Sequence, residues 1–364
     1  MGFRCGIVGL PNVGKSTLFN ALAKAKAPAS NYPFCTIDPN TGIVSVPDVR
    51  LDKLTEMYKP KKTTPTTIEF YDIAGLVKGA STGEGLGNQF LGHIKQVDAV
   101  LHVVRCFDDP NIIHVSGSVD PVRDIEVIDT ELCLKDLETM AGRFDKTEKL
   151  ARSGDKAARE VMPLYERVKK ALEEGKALWK LDLTEEEKKS IKDLAFLTLK
   201  PVLYGCNVAE SDLAKGNAWV EAVKKRAAEE GAQAVMISGK VESELVDLPE
   251  AEQPEFLQAL GLEESGLNLM IRAGYKLLNL ITYFTAGEQE VRAWTILKGT
   301  KAPQAAGVIH SDFERGFIRA ETMSYEALVK LGSAVAVKEK GLLRVEGKDY
   351  TVQDGDVMLF RFNV

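Results

Sequence analysis

Phe3-Arg4-Cys5-Gly6-Ile7-Val8-Gly9-Leu10-Pro11-Asn12-Val13-Gly14-Lys15-Ser16-Thr17 is a short apolar strand running into G-x-x-x-x-G-K-S. Such a glycine-rich loop turns backbone N–H groups inward around phosphate oxygens, Lys15 adds a point charge, and the Ser16 hydroxyl is placed to ligate magnesium. A helix from Ser16 to Lys24 then aims its positive end at the anion. Strand, loop and helix in this order predict a triphosphate ligand held by Asn12, Val13, Gly14, Lys15, Ser16 and Thr17.

Working outward, strand-like runs at 3–8, 42–46, 68–72, 98–104, 201–206 and 234–238 alternate with helical or loop segments, the pattern of an α/β parallel sheet covered on both faces. The alternation is interrupted from about Thr130 to Leu199, where Leu137, Met140, Phe144 and then Ala158, Val161, Met162, Tyr165, Val168 and Leu172 keep helical spacing. Ser153-Gly154-Asp155 breaks that run, which predicts an antiparallel hairpin, and Thr184 with Glu187 forms a capping box opening a further helix. A helix from Leu267 to Leu280 leads into strands at Val291–Leu297, Phe317–Glu321, Leu342–Val345 and Val357–Phe362, with Asp354-Gly355-Asp356 as a tight turn before the last. The expected organisation is a P-loop NTPase sheet from residues 1–130 and 200–281, an inserted helical, coiled-coil arm at 131–199, and a small β-grasp domain at 282–364.

The composition suits this reading. At 364 residues, 45% hydrophobic and 27% charged, the chain can build two or three cores. The N-terminus lacks the layout of a signal peptide, Gly6 defeats the myristoylation pattern, and no apolar run is long enough to span a bilayer, so a cytoplasmic chain without a membrane role is expected. Cys5, Cys35, Cys106, Cys133 and Cys206 form no C-x-x-C, which fits reduced thiols, with Cys35 the one to test for redox sensitivity. A monomer is expected. Net charge is −6, yet 131–199 carries 15 basic against 15 acidic residues and 282–364 carries 11 against 11, so the deficit falls on the rest. Arg143, Lys146, Lys149 and Arg152 recur every third residue and predict a basic stripe on one helical face, either a solvated face or an RNA contact.

The switch elements narrow the chemistry. Asp72-Ile73-Ala74-Gly75 ends the strand Thr67–Tyr71; Asp72 can hold the magnesium water shell, and Gly75 can donate its N–H to a γ-phosphate. Thr36, in a Pro-bounded segment, is the second candidate magnesium hydroxyl, and Gly79, Gly83, Gly85 and Gly87 follow as a loop with little restraint. After Gly75 stands Leu76, where Ras-type switches carry a water-orienting Gln, so hydrolysis needs another group or is slow. Asn12 can ligate a monovalent cation near the β and γ phosphates. Of the four histidines, His102 reads as packed in a strand, His93 follows the switch and His310 is distal; His114 is the candidate to position water. After the strand Pro201–Cys206 the chain has Asn207-Val208-Ala209-Glu210 in place of the guanine-reading N-K-x-D. Glu210 is a methylene too long for the bidentate guanine pose, Val208 lacks the covering stem, and the Asn207 amide can meet adenine, which favours ATP over GTP. Ser238-Gly239-Lys240 is the expected backbone contact to the base.

Over essentially its full length the chain resembles the YchF subfamily of Obg-like ATPases. The resemblance rests on GLPNVGKST at 9–17, NYPFCTIDPN at 31–40, DIAGLVKGASTGEGLGNQF at 72–90, the N-x-x-E at 207–210, and FTAGEQEVRAWT at 284–295 through VQDGDVMLFRF at 352–362. It implies an ATP-preferring hydrolase of low intrinsic activity, a coiled-coil arm, a C-terminal TGS domain and association with ribosomes and ribosomal RNA. It supports magnesium at Ser16 and Thr36, potassium stimulation through Asn12, and a catalytic role for His114 beside Lys15 and Gly75. Gly239 stands where relatives often carry Ala. Two other classes stay open: a nucleotide-gated ribosome- or protein-binding module in which hydrolysis is incidental, which Leu76 favours, and a GTPase of relaxed base specificity. A metabolite kinase has no use for the glycine-rich switch.

Overall fold

The computed structural model describes residues 3–24, 41–72 and 97–363. Its first sheet contains β1 (Phe3–Val8), β2 (Thr41–Ser45), β4 (Thr67–Asp72), β5 (Ala99–Arg105), β6 (Val202–Asn207) and β7 (Gln233–Ile237), while β3 (Lys62–Thr64) leaves it for a second sheet. The spatial order is β2-β4-β1-β5-β6-β7, with β2 antiparallel to β4 and every other pairing parallel. β5 is buried at all seven positions, which explains its near-continuous apolar sequence, as expected of a parallel strand covered on both faces. Each of the six strands read from the sequence is present within one residue of its predicted limits.

The helices α1 (Lys15–Lys24), α2 (Val49–Tyr58), α3 (Pro121–Arg152), α4 (Lys156–Glu173), α5 (Glu185–Ser190), α6 (Ala218–Glu230), α7 (Gly239–Leu245), α8 (Gln253–Ala259) and α9 (Gly266–Leu277) follow in chain order. Leu203 packs with Leu18 and Leu22 of α1 and with Met270 and Ile271 of α9, whereas Tyr204 and Cys206 pack with Ile125 of α3 and Val220 and Val223 of α6. Alternation along β6 therefore feeds two helix layers. The helix α3 runs on past the sheet, breaks at Ser153-Gly154-Asp155, and α4 packs back on it. These helices have their own core, in which Met140, Tyr165, Val168 and Leu172 meet Leu178, Ile191 and Phe196. Asp136 closes it, accepting from the backbone N–H groups of Leu197 and Thr198 at 2.7 and 2.8 Å. The Thr184–Glu187 capping box is formed. The basic stripe is half neutralised, because Arg143 pairs with Asp193 and Arg152 with Glu148.

The second sheet holds β8 (Leu280–Ala286), β9 (Glu290–Leu297), β10 (Phe317–Ser324), β11 (Arg344–Glu346) and β12 (Asp356–Phe362), in the order β11-β10-β12-β8-β9-β3. Helices α10 (Ala302–Ile309), α11 (Ser311–Arg315), α12 (Tyr325–Leu331) and α13 (Ala334–Glu339) complete this part. Two sequence expectations change here. The helix read to Leu280 ends at Leu277, because Asn279 adopts a left-handed φ of 51° and turns the chain into β8, a strand hidden in an apolar run that suits either structure. The segment 49–64, read as part of the nucleotide-binding residues, packs on the C-terminal sheet: β3 pairs in parallel with β9, and Leu51 and Leu54 share a core with Phe284, Val291, Leu328 and Val357. Arg50 reinforces the junction, bound to Asp48 and Asp354 and lying over the Phe284 ring at 5.2 Å. The Tyr275 hydroxyl joins the two parts, 2.9 Å from Thr66 Oγ1 and 2.5 Å from Thr295 Oγ1.

Two outcomes follow from this packing. Leu54 is fully buried, so Leu54→Ala should destabilise the C-terminal sheet by about 2–5 kcal/mol. Hydrogen exchange checks this: acceleration across β9 is expected, and acceleration confined to β1 and β4 would refute the assignment. Glu242, in α7, accepts from Gly266 N at 2.7 Å at the start of α9, and burial pushes its carboxyl from 4.5 up to about 7. The native state therefore keeps a proton that the unfolded chain has lost between those values, so stability falls as pH rises through that window, by an amount on the order of 3 kcal/mol. Denaturant unfolding at pH 5 and pH 8 should show this loss in the wild type and not in Glu242→Gln; matching pH profiles would contradict it.

Candidate functional site

The loop between β1 and α1 has the backbone its sequence demands. Gly9 has a φ of 150°, and a Cβ there would lie 2.4 Å from Val103 O. Asn12 sits at a left-handed φ of 61°. Gly14 has a φ of 95°, and a Cβ there would lie 2.1 Å from Asn207 Nδ2, so only glycine fits between the loop and the end of β6. Lys15 Nζ donates to Leu10 O at 3.0 Å, and burial lowers its ammonium pKa, opposed by the nearby Asp72 charge. Ser16 and Thr17 are exposed in the first turn of α1. Asp72 ends β4 with its carboxyl pKa raised by burial and drawn back by Lys15, and its buried Oδ1 has no partner among the described residues.

Asn12, Gly14, Lys15, Ser16 and Thr17 line one end of a cavity of about 980 Å³. Its other end is built from the loops after β6 and β7: Val208, Ala209, Glu210 and Ser211 on one side, Ser238, Gly239 and Lys240 on the other. Phe107 and Ile112 from the loop after β5 and Ala259 and Leu260 at the end of α8 add apolar surface. Phosphate loop and base end thus share one cleft at the C-terminal edge of a parallel sheet, where open α/β sheets bind ligands.

The structure adds a supporting role for Asn207 to the one read from the sequence. Its Nδ2 donates to Val13 O at 2.8 Å and its Oδ1 accepts from Gly239 N at 2.9 Å, and the residue is only 7% exposed. The amide bolts the phosphate loop to the loop after β7, and the residue also lines the cleft, with one bond used at each end of an amide that has two donors and two lone pairs. Val208 is turned into the core behind the cleft. Ser238 is buried, while Glu210 is exposed at the rim and pairs with Lys240 at 3.6 Å.

His114 is also placed differently from the expectation of a water-positioning group in the cleft. It is buried; Nε2 lies 2.8 Å from Asp124 Oδ2 and Nδ1 accepts from Ser116 N at 3.1 Å, which puts the proton on Nε2. Its neighbours Ile113 and Val115 are exposed. The loop that carries it is fixed by Arg105, a fully buried guanidinium that donates to Phe107 O, Ile112 O and Asp109 O and stacks on Phe107 at 4.6 Å. Asn12 Nδ2 reaches the same loop, donating to Ile113 O at 3.1 Å. The sequence reading missed Phe107, Arg105, Asp124 and Leu260; an arginine ending the apolar run Ala99–Arg105 was the available signal. Thr36, Gly75, Leu76, His93 and Cys35 lie outside the described residues. His102 is buried in β5, where burial, aided by Lys15, lowers its pKa to about 3. The other four cysteines are free and buried.

Comparison with known proteins adds a second line. Residues 4–138 match a family model described as 50S ribosome-binding GTPase, and residues 280–363 match YchF-GTPase_C, described as a protein of unknown function. The Ribosome-binding ATPase YchF of Bacillus subtilis is 57% identical over 366 residues and that of Escherichia coli O157:H7 58% identical over 364, each with all of both chains covered. The solved Schizosaccharomyces pombe YchF GTPase superposes with a TM-score of 0.87 at 44% identity, covering 99% of this chain and 98% of that one. A GTP binding protein from Pyrococcus horikoshii, at 20% identity and a TM-score of 0.63, shares the fold. Phosphate loop, cleft and C-terminal sheet therefore all fall within end-to-end matches at more than half identity, and the chain belongs to the YchF family.

Proposed function

We propose that this chain is a P-loop ATP hydrolase of low intrinsic rate that binds the ribosome in a nucleotide-dependent way. The carrying observation is the single cleft joining the phosphate loop to a base end that lacks the lysine and aspartate of a guanine reader, in a chain that matches ribosome-binding ATPases end to end. ATP would lie with its phosphates on residues 12–17 and its base toward Ala209, Glu210, Ser238 and Lys240, bounded by Phe107 and Leu260.

Magnesium fits the polar groups at hand. The Ser16 hydroxyl is open, and Asp72 Oδ1, without a partner among the described residues, suits a water of the ion's shell; Thr36 is the further ligand proposed. When bound, magnesium neutralises charge on the β and γ phosphates. Lys15 holds phosphate charge, and Gly75 is proposed to donate to the γ-phosphate. The Asn12 carbonyl is the proposed potassium ligand, its amide nitrogen being engaged with Ile113 O. The helices α3 and α4 beyond residue 131 are proposed as the coiled-coil arm, and the sheet from β8 to β12 as a TGS-type β-grasp domain; both are surfaces for ribosomal RNA or other proteins, in the cytoplasm and from a monomer.

His114 is the proposed catalytic group, and its pairing with Asp124 means that the segment 113–117 must turn it outward before it meets water at the γ-phosphate. The same pairing favours the alternative of a nucleotide-gated binding module with incidental hydrolysis. Turnover, ATP affinity and ribosome co-sedimentation in His114→Ala separate them. The expected result is hydrolysis reduced by about tenfold or more with ATP binding retained, the usual range for a positioned acid–base group. Wild-type turnover in His114→Ala would remove the residue from catalysis, and full rescue of function in cells by a hydrolysis-dead His114→Ala would favour the binding module. No ATP hydrolysis by the wild type, with or without ribosomes, would sink the ATPase reading.

A further inference from the structure

β7 is the outermost strand of the first sheet and pairs only with β6 among the described residues. Which of its backbone groups stay open follows from one bond. Ile237 O accepts from Val208 N at 2.9 Å, so the N–H and C=O of Ile237 point toward β6, and those of Val235 point the same way by alternation. Ala234 and Met236 therefore turn theirs outward, where no group among the described residues meets them. Such an edge is a template for another strand, and proteins ordinarily blunt it with charge, proline or a covering segment. Gln233-Ala234-Val235-Met236-Ile237 carries neither charge nor proline, and its first four residues are only half-buried.

A cavity of about 410 Å³ lies against this edge, flanked by α6 on one face of the sheet and α9 on the other. Leu213 and Met236 line it on the α6 side, and Ala273 and the 39% exposed Leu269 on the α9 side. Its margins are mainly basic. Lys224, Arg272 and Lys276 line it against one carboxylate, Glu264, which Arg272 engages. Lys224 pairs with Glu221 at 2.9 Å, but both side chains are exposed and such a contact is weak in water. Lys276 is exposed and makes no ion pair among the described residues.

These features define the occupant. Outward N–H and C=O groups at the strand repeat require another extended main chain, which a helix or a nucleic acid does not supply. Side chains of an added strand would alternate between the apolar surfaces on the two faces, and carboxylates among them would meet Lys224 and Lys276. A second copy of this chain suits the edge less well: two-fold pairing of β7 with itself sets α6 beside α6 and α9 beside α9, bringing like cations together across the axis.

We propose that the open edge of β7 docks an extended, acidic segment of a partner protein, which joins the sheet as a further strand. The inference is independent of which nucleotide the cleft takes. A phage-displayed octapeptide library panned on the full-length protein tests it, with recovered peptides resynthesised and titrated by fluorescence anisotropy. Acidic sequences with β-branched residues at alternate positions are expected. Ala234→Pro removes an outward N–H and spares the bonds to β6, so it should fold and weaken these peptides by about tenfold or more. Methylating the peptide's own backbone nitrogens tests the same pairing without touching the protein: one alternate set should lose binding by about tenfold and the other should keep it. The exposed pair Lys224→Glu/Lys276→Glu should weaken acidic peptides by about tenfold. Amide exchange at Ala234 and Met236 should be fast in the free protein and slowed by about tenfold or more at saturating peptide. Recovery of no acidic peptide sensitive to backbone methylation would overturn the inference, and so would slow exchange at Ala234 and Met236 in the free monomer. A wild-type dimer in sedimentation equilibrium that Ala234→Pro dissolves would give the edge to a second copy and overturn it as well.

Discussion

The Asn207 side chain holds the site together. Its two hydrogen bonds, to Val13 O and from Gly239 N, span the gap between the phosphate loop and the loop after β7, and they are buried. Each such bond contributes about 1 kcal/mol net, and far more is at stake if one partner is left unpaired in a dry site. The constraint is steric as well as polar. The amide approaches so closely that Gly14 has no room for a β-carbon. The phosphate loop and the loop after β7 are thereby linked through one residue at the end of β6.

A second constraint acts on the opposite wall. Arg105 is fully buried with no carboxylate in hydrogen-bonding contact among the described residues, its charge satisfied by three backbone carbonyls of the loop it precedes. Removing those acceptors would strand a charge in the core, so the loop at 107–112 is held firmly. His114 follows at the end of that anchored stretch, where Asp124 draws it inward. Arg123 completes the arrangement by pairing with the other Asp124 oxygen at 3.0 Å. The wall that supplies Phe107 and Ile112 to the cleft is thus held by Arg105, while the segment bearing the histidine is held by the His114–Asp124 pair, by Ser116 N on His114 Nδ1 and by Asn12 on Ile113 O.

Much of this was legible beforehand. The nucleotide-binding strands were read to within a residue because parallel strands buried on both faces are written in unbroken apolar runs, and β5 is the clearest case. The phosphate loop was legible because its glycines are required by backbone geometry at Gly9 and Gly14. What escaped was tertiary. Nothing in the spacing of Leu51 and Leu54 says that they cross to the C-terminal core, and β8 lay inside a run that suits helix or strand until Asn279 turns the chain. Residue type placed Asn207 and His114 at the site, and only the fold shows which way their side chains point.

The central claim is that Asn207 supports both loops, so that binding of either nucleotide depends on it. Titrating Mg·ATP and Mg·GTP into Asn207→Ala tests it most directly. Losing two supporting hydrogen bonds should weaken both nucleotides by a similar factor, about tenfold or more, leaving their ratio unchanged. A loss confined to ATP would show that the amide acts on adenine and not through both loops, and would contradict the account.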